Sequence, residues 1–253
     1  MDPGALLYVE KSGERSSLED VIADGLEVDY SDRFPALVQL MREGAPEHRL
    51  QACRMLAAWG VKEGLETMIA WARAPESSPA DVTHDRLQGA DDAFATLADS
   101  LRVARDSERP GAAELRVEAT RALLAIYHRV FFGRALYAVL DMDRELAAAV
   151  HENIAVAIER AAAAHVRGFD MPTQAASLLG VLAKLDDAHT AQLADLVLAE
   201  KPGTRTVREV AYVLRSGGGP ATRAILERLA AGTGAVADDA ADSLTRRPDR
   251  LTN

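Results

Sequence analysis

Short segments with helical periodicity, separated by glycine and proline, recur along almost the whole chain. In EHRLQACRMLAAWG (47–60), apolar side chains recur at helical spacing, Pro46 precedes the pattern and Gly60 ends it. The same criterion predicts further helices at about 33–42, 61–72, 84–105, 112–132, 143–165, 172–184, 187–199, 204–215, 219–231 and 234–246. Because no segment shows the sustained alternation of a half-buried strand, the sequence predicts an all-α fold.

Two of these helices share one spacing of arginine, alanine and leucine, in Arg49–Ala52–Leu56 and Arg116–Ala119–Leu123. Arg208–Ala211–Leu214 has a last step one residue shorter, and Val236–Ala240–Leu244 keeps a related pattern without the arginine. A small alanine allows two helices to approach closely, and the leucine fills the space beside it. Aromatic residues make up only 5% of the chain, which also favours close helix packing over a β-rich core.

This pattern resembles the second helix of HEAT repeats, the paired-helix units of α-solenoid proteins. The resemblance covers residues 33–73, 112–132 and 171–246, whereas residues 74–111 and 133–170 depart from it as enlarged helices or insertions. It implies a right-handed α-solenoid of stacked antiparallel helix pairs, HEAT-like and irregular in the middle.

The charge is spread unevenly over the chain. Of the formal net charge of −10, residues 1–30 carry −6, with eight acids and two bases, and residues 31–253 carry −4. We therefore predict an acidic N-terminal segment, 1–30, with a short helix opened by the capping box Ser16–Glu19, and a single α-helical repeat domain, 31–253. No clustered positive charge is evident, so nucleic acid is not expected as the main partner.

The residues that carry chemistry form no recognisable catalytic or metal-binding pattern. The chain's one cysteine, Cys53, falls on the apolar stripe of its helix, so we expect it to be buried with a raised pKa. The pair His151–Glu152 recurs in zinc proteases, but Ala155 stands where the second histidine ligand is required. Phosphate-binding loops and a nucleophile elbow are also missing from the sequence. We therefore predict no catalytic residue, no metal site and no cofactor.

The location of the chain is predicted from its apolar segments. No uncharged apolar stretch approaches the roughly 20 residues that cross a bilayer, and the first fifteen residues do not resemble a secretion signal. The expectation is a cytoplasmic protein with no membrane partner.

The predicted function is a non-enzymatic scaffold or adaptor that binds another protein on the surface of the helical stack. If the second helices line the concave side, as in HEAT proteins, the contacts are their outward positions: Gln51, Arg54, Glu118, Arg121, Glu209, Tyr212, Asp239 and Asp242. A narrower version is an inhibitor or immunity-type protein for a partner with a basic surface, since complementary charge accelerates encounter. The alternative is a small-ligand enzyme on the same fold, similar to the HEAT-like lyases.

Overall fold

The computed structural model describes residues 2–84, 89–166, 168–200 and 202–248, and these parts of the chain are mostly helical. They contain fifteen α-helices and no strand; only two isolated β-bridges occur, Val9 with Arg15 and His84 with Asp91. The prediction of an all-α fold is therefore confirmed. None of the helices in the described parts is both long and apolar enough to span a membrane.

The chain divides into two compact units, Met1–Leu123 (unit 1) and Leu124–Asn253 (unit 2). Unit 1 contains 23 acids and 14 Lys and Arg, a net charge of −9, whereas unit 2 contains 16 and 15, a net charge of −1. Almost all of the protein's net charge therefore belongs to unit 1.

Unit 1 is built from short helices that pack around one central helix. Its helices are α1 (Pro3–Leu7), α2 (Leu18–Glu27), α3 (Phe34–Glu43), α4 (Pro46–Ala58), α5 (Lys62–Arg73) and α6 (Ala93–Val103), and α7 (Ala112–Ala125) begins here. Helix α4 contacts α2, α3, α5 and α6. Helix α4 covers most of the segment EHRLQACRMLAAWG (47–60), and eight of its thirteen residues are buried.

Trp59 joins the acidic N-terminal segment to the rest of unit 1. Its indole Nε1 donates a hydrogen bond to the carbonyl oxygen of Ile22 (2.9 Å), and its ring lies 5.0 Å from that of Tyr30. Leu7, Val21 and Tyr30 are almost completely buried. Residues 2–30 therefore contribute to the core of unit 1, and whether residues 31–253 form one domain stays a prediction.

Unit 2 contains the remaining helices, most of which begin at a capping residue, proline or glycine. They are α8 (Ala135–Met142), α9 (Arg144–Ala149), α10 (His151–Ala162), α11 (Met171–Leu182), α12 (Asp187–Ala199), α13 (Thr204–Leu214), α14 (Pro220–Ala230) and α15 (Ala235–Thr245). Sequential helices pack against each other, as α10 does on α11 and α14 on α15. Alternate helices are neighbours as well: α11 contacts α13, α13 contacts α15, and α12 contacts both α10 and α14.

Two arginines of the arginine–alanine–leucine pattern donate hydrogen bonds to the C-terminal end of the preceding α-helix. The guanidinium Nε of Arg49 donates to the carbonyl oxygen of Met41 (3.2 Å), and that of Arg116 donates to Leu101 (2.6 Å). The carbonyl groups in the last turn of a helix have no partner within the helix, so these bonds satisfy them. Arg208 differs, because it pairs with Asp239 on α15.

Three predicted helix limits are wrong. The helix expected at 84–105 starts only at Ala93, and residues 85–88 lie outside the described parts. The helix expected at 112–132 ends at Ala125, and the one expected at 143–165 is two helices, α9 and α10, separated at Val150. Helices α1 and α8 were not expected from the sequence.

Candidate functional site

A groove on unit 2 brings together three of the predicted contact residues. We call it the α13 groove; it has a volume of about 470 Å³ and is lined by Arg134, Thr204, Arg205, Arg208, Glu209, Tyr212 and Asp239. Glu209, Tyr212 and Asp239 belong to the predicted set. The lining residues come from the start of α8, the exposed side of α13 and one position of α15.

The amphipathic pattern of α13 decides which side chains reach the groove. Thr206, Val210, Ala211 and Leu214 are buried, so the positions between them that include Arg208 and Tyr212 point away from the core. The sequence alone therefore predicts the outward direction of this face.

Two ion pairs cross the groove between neighbouring elements. Arg134 pairs with Glu209, whose side chain is mostly buried, and the guanidinium Nε of Arg208 lies 2.5 Å from a carboxylate oxygen of Asp239. The hydrogen bond from Arg208 to Asp239 raises the pKa of Arg208. Arg205 is exposed and has no acidic partner among the described residues. The basic groups of the groove thus exceed its acidic groups.

Tyr212 is the exposed aromatic residue of the groove. Its side chain is 42% exposed, and two guanidinium groups lie over its ring, Arg215 at 3.9 Å and Arg134 at 5.4 Å from the ring centroid. Cation–π contacts of this kind restrict the side chains that make them. The groove therefore presents ordered arginine and tyrosine groups at its surface.

Helix α8 is fixed against α11 and α13, which places Arg134 at the edge of the groove. A Cβ atom added at Gly180 of α11 would lie 3.0 Å from the Cβ of Val213 and 3.5 Å from the ring of Tyr137. Lys184 and Asp141 form an ion pair of 2.5 Å at the end of α8. Glycine at position 180 therefore permits the close approach of α11 to α13.

The other predicted contact residues are distributed over both units. Gln51 is only 8% exposed and accepts a hydrogen bond from Arg54 (2.8 Å), so it is not a surface side chain. Arg54 also pairs with Glu19 on α2 at 3.2 Å. Glu118 is exposed and pairs with Arg73 at 2.5 Å, and Arg121 is exposed.

Asp242 lies on α15 near the α13 groove but does not line it. Its carboxylate accepts a hydrogen bond from Arg246 at 2.9 Å, one turn further along the same helix. Three arginines of the groove, Arg134, Arg205 and Arg208, were missed as contact residues. Arg205 and Arg208 share the outward face of Tyr212, so the helical period could have indicated them, whereas Arg134 lies in the region outside the repeat pattern.

A second surface lies around Leu26 in unit 1, and we call it the α2 surface. Leu26 lines two grooves, one of about 240 Å³ between α2, α4 and α6, and one of about 530 Å³ beside residues 106–110. Five of the ten residues that line the smaller groove are apolar: Ile22, Ala23, Leu26, Ala58 and Val103. Four others are charged: Glu19, Arg54, Asp99 and Arg102. The groove therefore combines apolar and charged side chains.

The expectation for Cys53 is confirmed. Its side chain is completely buried, burial strongly raises the pKa of the thiol, and Sγ lies 3.5 Å from the carbonyl oxygen of Gly64. A thiol with a raised pKa is a poor nucleophile. Cys53 therefore serves the packing of α4 against α5.

Among the described residues, no three His, Cys, Asp or Glu side chains come together as a set of metal ligands. Comparison of the chain with protein-family models, with curated proteins and with solved structures found no match.

Proposed function

We propose that the protein is a non-enzymatic scaffold or adaptor that binds another protein, and that the α13 groove is its contact surface. The observation that carries the proposal is Tyr212, an exposed aromatic ring held between Arg134 and Arg215 at the side of an open groove. Tyrosine and arginine are the residue types, with tryptophan, that most often dominate the binding energy of protein interfaces.

The neighbour relations in unit 2 support a HEAT-like architecture for this scaffold. Contacts of α10 with α12 and of α12 with α14 are those expected for one row of a stack, and contacts of α11 with α13 and of α13 with α15 for the other. In the right-handed α-solenoid that the sequence resembles, one row lines the concave side. The α13 groove then belongs to that side, where repeat proteins bind their partners.

Two of the three arginine side chains that line the groove already have acidic partners. Arg134 is held by Glu209, and Arg208 is held by Asp239. Immobilising a long side chain at an interface costs about 0.5–1.5 kcal/mol, and a side chain that is already ordered avoids most of this cost. The groove is thus suited to binding with little loss of conformational entropy.

The charge of unit 1 favours a narrower form of the function, an inhibitor or immunity-type protein for a basic partner. Its net charge of −9 produces a field that attracts a partner with a positive surface and accelerates encounter. The rate of association should then fall steeply as the salt concentration rises.

The proposal is tested by affinity purification from a native lysate with three forms of the full chain: wild type, Tyr212→Ala and Leu196→Ala. Leu196 is the matched control, because it lies on α12 of the same unit and is 40% exposed, close to the 42% of Tyr212. We expect wild type and Leu196→Ala to retain one protein at a stoichiometric level. Tyr212→Ala should bind that protein about 30-fold more weakly, which corresponds to the loss of about 2 kcal/mol of binding free energy at a hot spot.

Two results would contradict the proposal. Recovery of no stoichiometric protein with the wild-type chain would exclude a binding scaffold. Equal retention by Tyr212→Ala and Leu196→Ala would exclude the α13 groove as the contact surface.

A further inference from the structure

The α2 surface carries apolar groups that are exposed in the described part of unit 1. Leu26 is 43% exposed at the end of α2, and Val28 is 39% exposed just beyond it. Leu26 also forms part of the smaller groove. Covering an exposed leucine and the groove beside it is favourable because it removes apolar surface from water.

Carboxylates surround these apolar groups, and several have no basic partner. Glu27, Asp29, Asp106 and Glu108 are exposed and form no ion pair with a lysine or arginine among the described residues. Ser31 donates its backbone N–H and its hydroxyl to Asp29, and these bonds, together with the nearby charges of Arg109 and Lys11, lower the pKa of the Asp29 carboxyl group. All four carboxylates are exposed to an approaching cation.

The arginines that line the two grooves already have ion-pair, ring or hydrogen-bond partners. Arg54 pairs with Glu19, and Arg102 pairs with Asp99 at 3.0 Å. The guanidinium of Arg109 lies 4.5 Å from the centroid of the Phe34 ring, and its Nε donates to the carbonyl oxygen of Trp59. Arg54 and Arg102 therefore cannot neutralise the free carboxylates without leaving their present partners.

Hydrogen bonds hold helix α2 and the residues that follow it, which present these groups. The side-chain oxygen of Ser17 accepts a hydrogen bond from the backbone of Asp20 at the start of α2, and Asp20 reciprocates. At the other end, the hydroxyl of Tyr30 donates to Asp24, and Trp59 donates to Ile22. A partner therefore meets a preformed surface and does not have to order it.

We propose that the α2 surface binds a segment of a partner protein that is rich in lysine and arginine and carries one apolar side chain. The apolar side chain enters the 240 Å³ groove beside Leu26, and the basic side chains meet Glu27, Asp29, Asp106 and Glu108. Charge complementarity selects this occupant: an acidic segment would be repelled by the same carboxylates and by the charge of unit 1. The proposal extends the proposed function to a second surface and to the chemistry of the partner.

The test uses the full chain with the photo-reactive amino acid p-benzoyl-phenylalanine at Val28, which is exposed beside the groove without lining it. The control carries the same amino acid at Leu196 in unit 2. After illumination in native lysate, the cross-linked peptides are identified by mass spectrometry. We expect Val28 to link to a peptide with net positive charge and an apolar residue near the linked position, and Leu196 to give no such product. Cross-links from Val28 to neutral or acidic peptides only, or no products above those of Leu196, would overturn the proposal.

Two matched sets of charge variants, made in the chain that carries p-benzoyl-phenylalanine at position 28, then test where the partner binds. In the first set, Glu27→Gln, Asp106→Asn and Glu108→Gln are combined; in the second, Glu63→Gln, Glu76→Gln and Glu114→Gln are combined. Both remove three exposed carboxylates from unit 1, so they change its net charge equally. The first set should lower the yield of the cross-link at low salt by about tenfold, and the second by much less. Equal reductions would show that only net charge matters and would refute a site at the α2 surface.

The outcome separates this proposal from the function proposed above. If Tyr212→Ala abolishes capture while Val28 forms no cross-link to a basic peptide, the binding function stands and the α2 site is wrong. If the wild-type chain captures nothing and Val28 forms no cross-link, both are wrong. If only Val28 cross-links to a basic peptide, the α2 site stands and the α13 groove is not the contact surface.

Discussion

Replacing Gly25 with alanine should destabilise unit 1 although Gly25 lies inside a helix. In an open helix, alanine is more stable than glycine by about 1 kcal/mol. At position 25, however, the new Cβ would lie 2.3 Å from Cε2 and Nε1 of Trp59. Carbon atoms in contact prefer a separation of about 3.5–4.0 Å, so the overlap exceeds an ångström.

The ring of Trp59 has little freedom to move away. It is 2% exposed, its Nε1 donates to Ile22, and Tyr30 and Phe34 lie against it at 5.0 and 6.0 Å. Overpacking of this kind costs about 1–3 kcal/mol, and loss of the indole hydrogen bond costs about another 1 kcal/mol. After subtraction of the gain in helix propensity, we expect Gly25→Ala to lower the free energy of unfolding by about 2 kcal/mol.

The assay is urea unfolding followed by tryptophan fluorescence. Both tryptophans of the chain, Trp59 and Trp71, belong to unit 1, so the signal reports on that unit. Ala23→Gly, two residues earlier on an exposed position of α2, is the matched control and should cost at most about 1 kcal/mol through propensity alone.

A double-mutant cycle with Trp59→Phe tests whether the loss of stability comes from the contact between residue 25 and the indole ring. The smaller ring removes the indole Nε1 that the new Cβ would overlap, so Gly25→Ala should cost clearly less in that background. If Gly25→Ala leaves the wild-type chain as stable as before or more stable, the close approach of α2 to Trp59 does not exist and the reasoning fails.

Three further predictions concern buried groups. Cys53 should react with a thiol reagent at pH 8 only after unfolding in urea, because burial raises its pKa; rapid labelling of the native chain would disprove its role in packing. Asp187→Asn should cost about 2 kcal/mol at pH 7, because Asp187 accepts hydrogen bonds from the first turn of α14 and from the Thr222 hydroxyl. Burial raises the pKa of the Asp187 carboxyl group, but these hydrogen bonds lower it by more, so the folded-state pKa lies below 3.8. The contribution of Asp187 to the free energy of unfolding is therefore complete above pH 3.8 and is lost as the pH falls through the folded-state pKa. In that pH range the urea midpoint of Asp187→Asn should depend less on pH than that of the wild-type chain. Gln174→Leu should cost about 3 kcal/mol by thermal unfolding, because its amide satisfies three backbone groups of residues 127–132; a loss below 1 kcal/mol would contradict that.

Much of the helix pattern could be predicted because the chain marks its helix ends locally. Gly60, for example, has a φ of +68°, a conformation that favours glycine, and it follows directly after α4 and Trp59. From residue 171 onward, each predicted helix agrees with the structure to within about two residues, since caps, prolines and glycines separate the periodic segments.

The errors arose where tertiary packing, and not a local signal, ends a helix. Residues 143–165 are rich in alanine and contain neither glycine nor proline, yet the chain breaks at Val150, whose ψ is 19° and whose side chain is buried. After α7 ends at Ala125, the side chain of Gln174 accepts a hydrogen bond from the N–H of Phe132, 42 residues earlier in the chain, and donates to the carbonyl oxygen of Tyr127. No local pattern predicts such a long-range bond.

The same distinction holds for the candidate site. The helical period indicates that Glu209 and Tyr212 share an outward face, and both line the α13 groove. It also placed Gln51 outward, but packing around α4 buries that side chain. The contribution of Arg134 depends on how α8 lies against α11 and α13, which the sequence pattern does not contain.

Hydrogen exchange on the chain, free and with its captured partner, measures whether the partner covers the α13 groove. Gly203 provides no side-chain cap to α13, so the amides of its first turn, at Thr204 and Arg205, should exchange readily in the free chain. We expect the partner to slow exchange in residues 204–214. Unchanged exchange throughout α13 in a saturated complex would contradict this expectation.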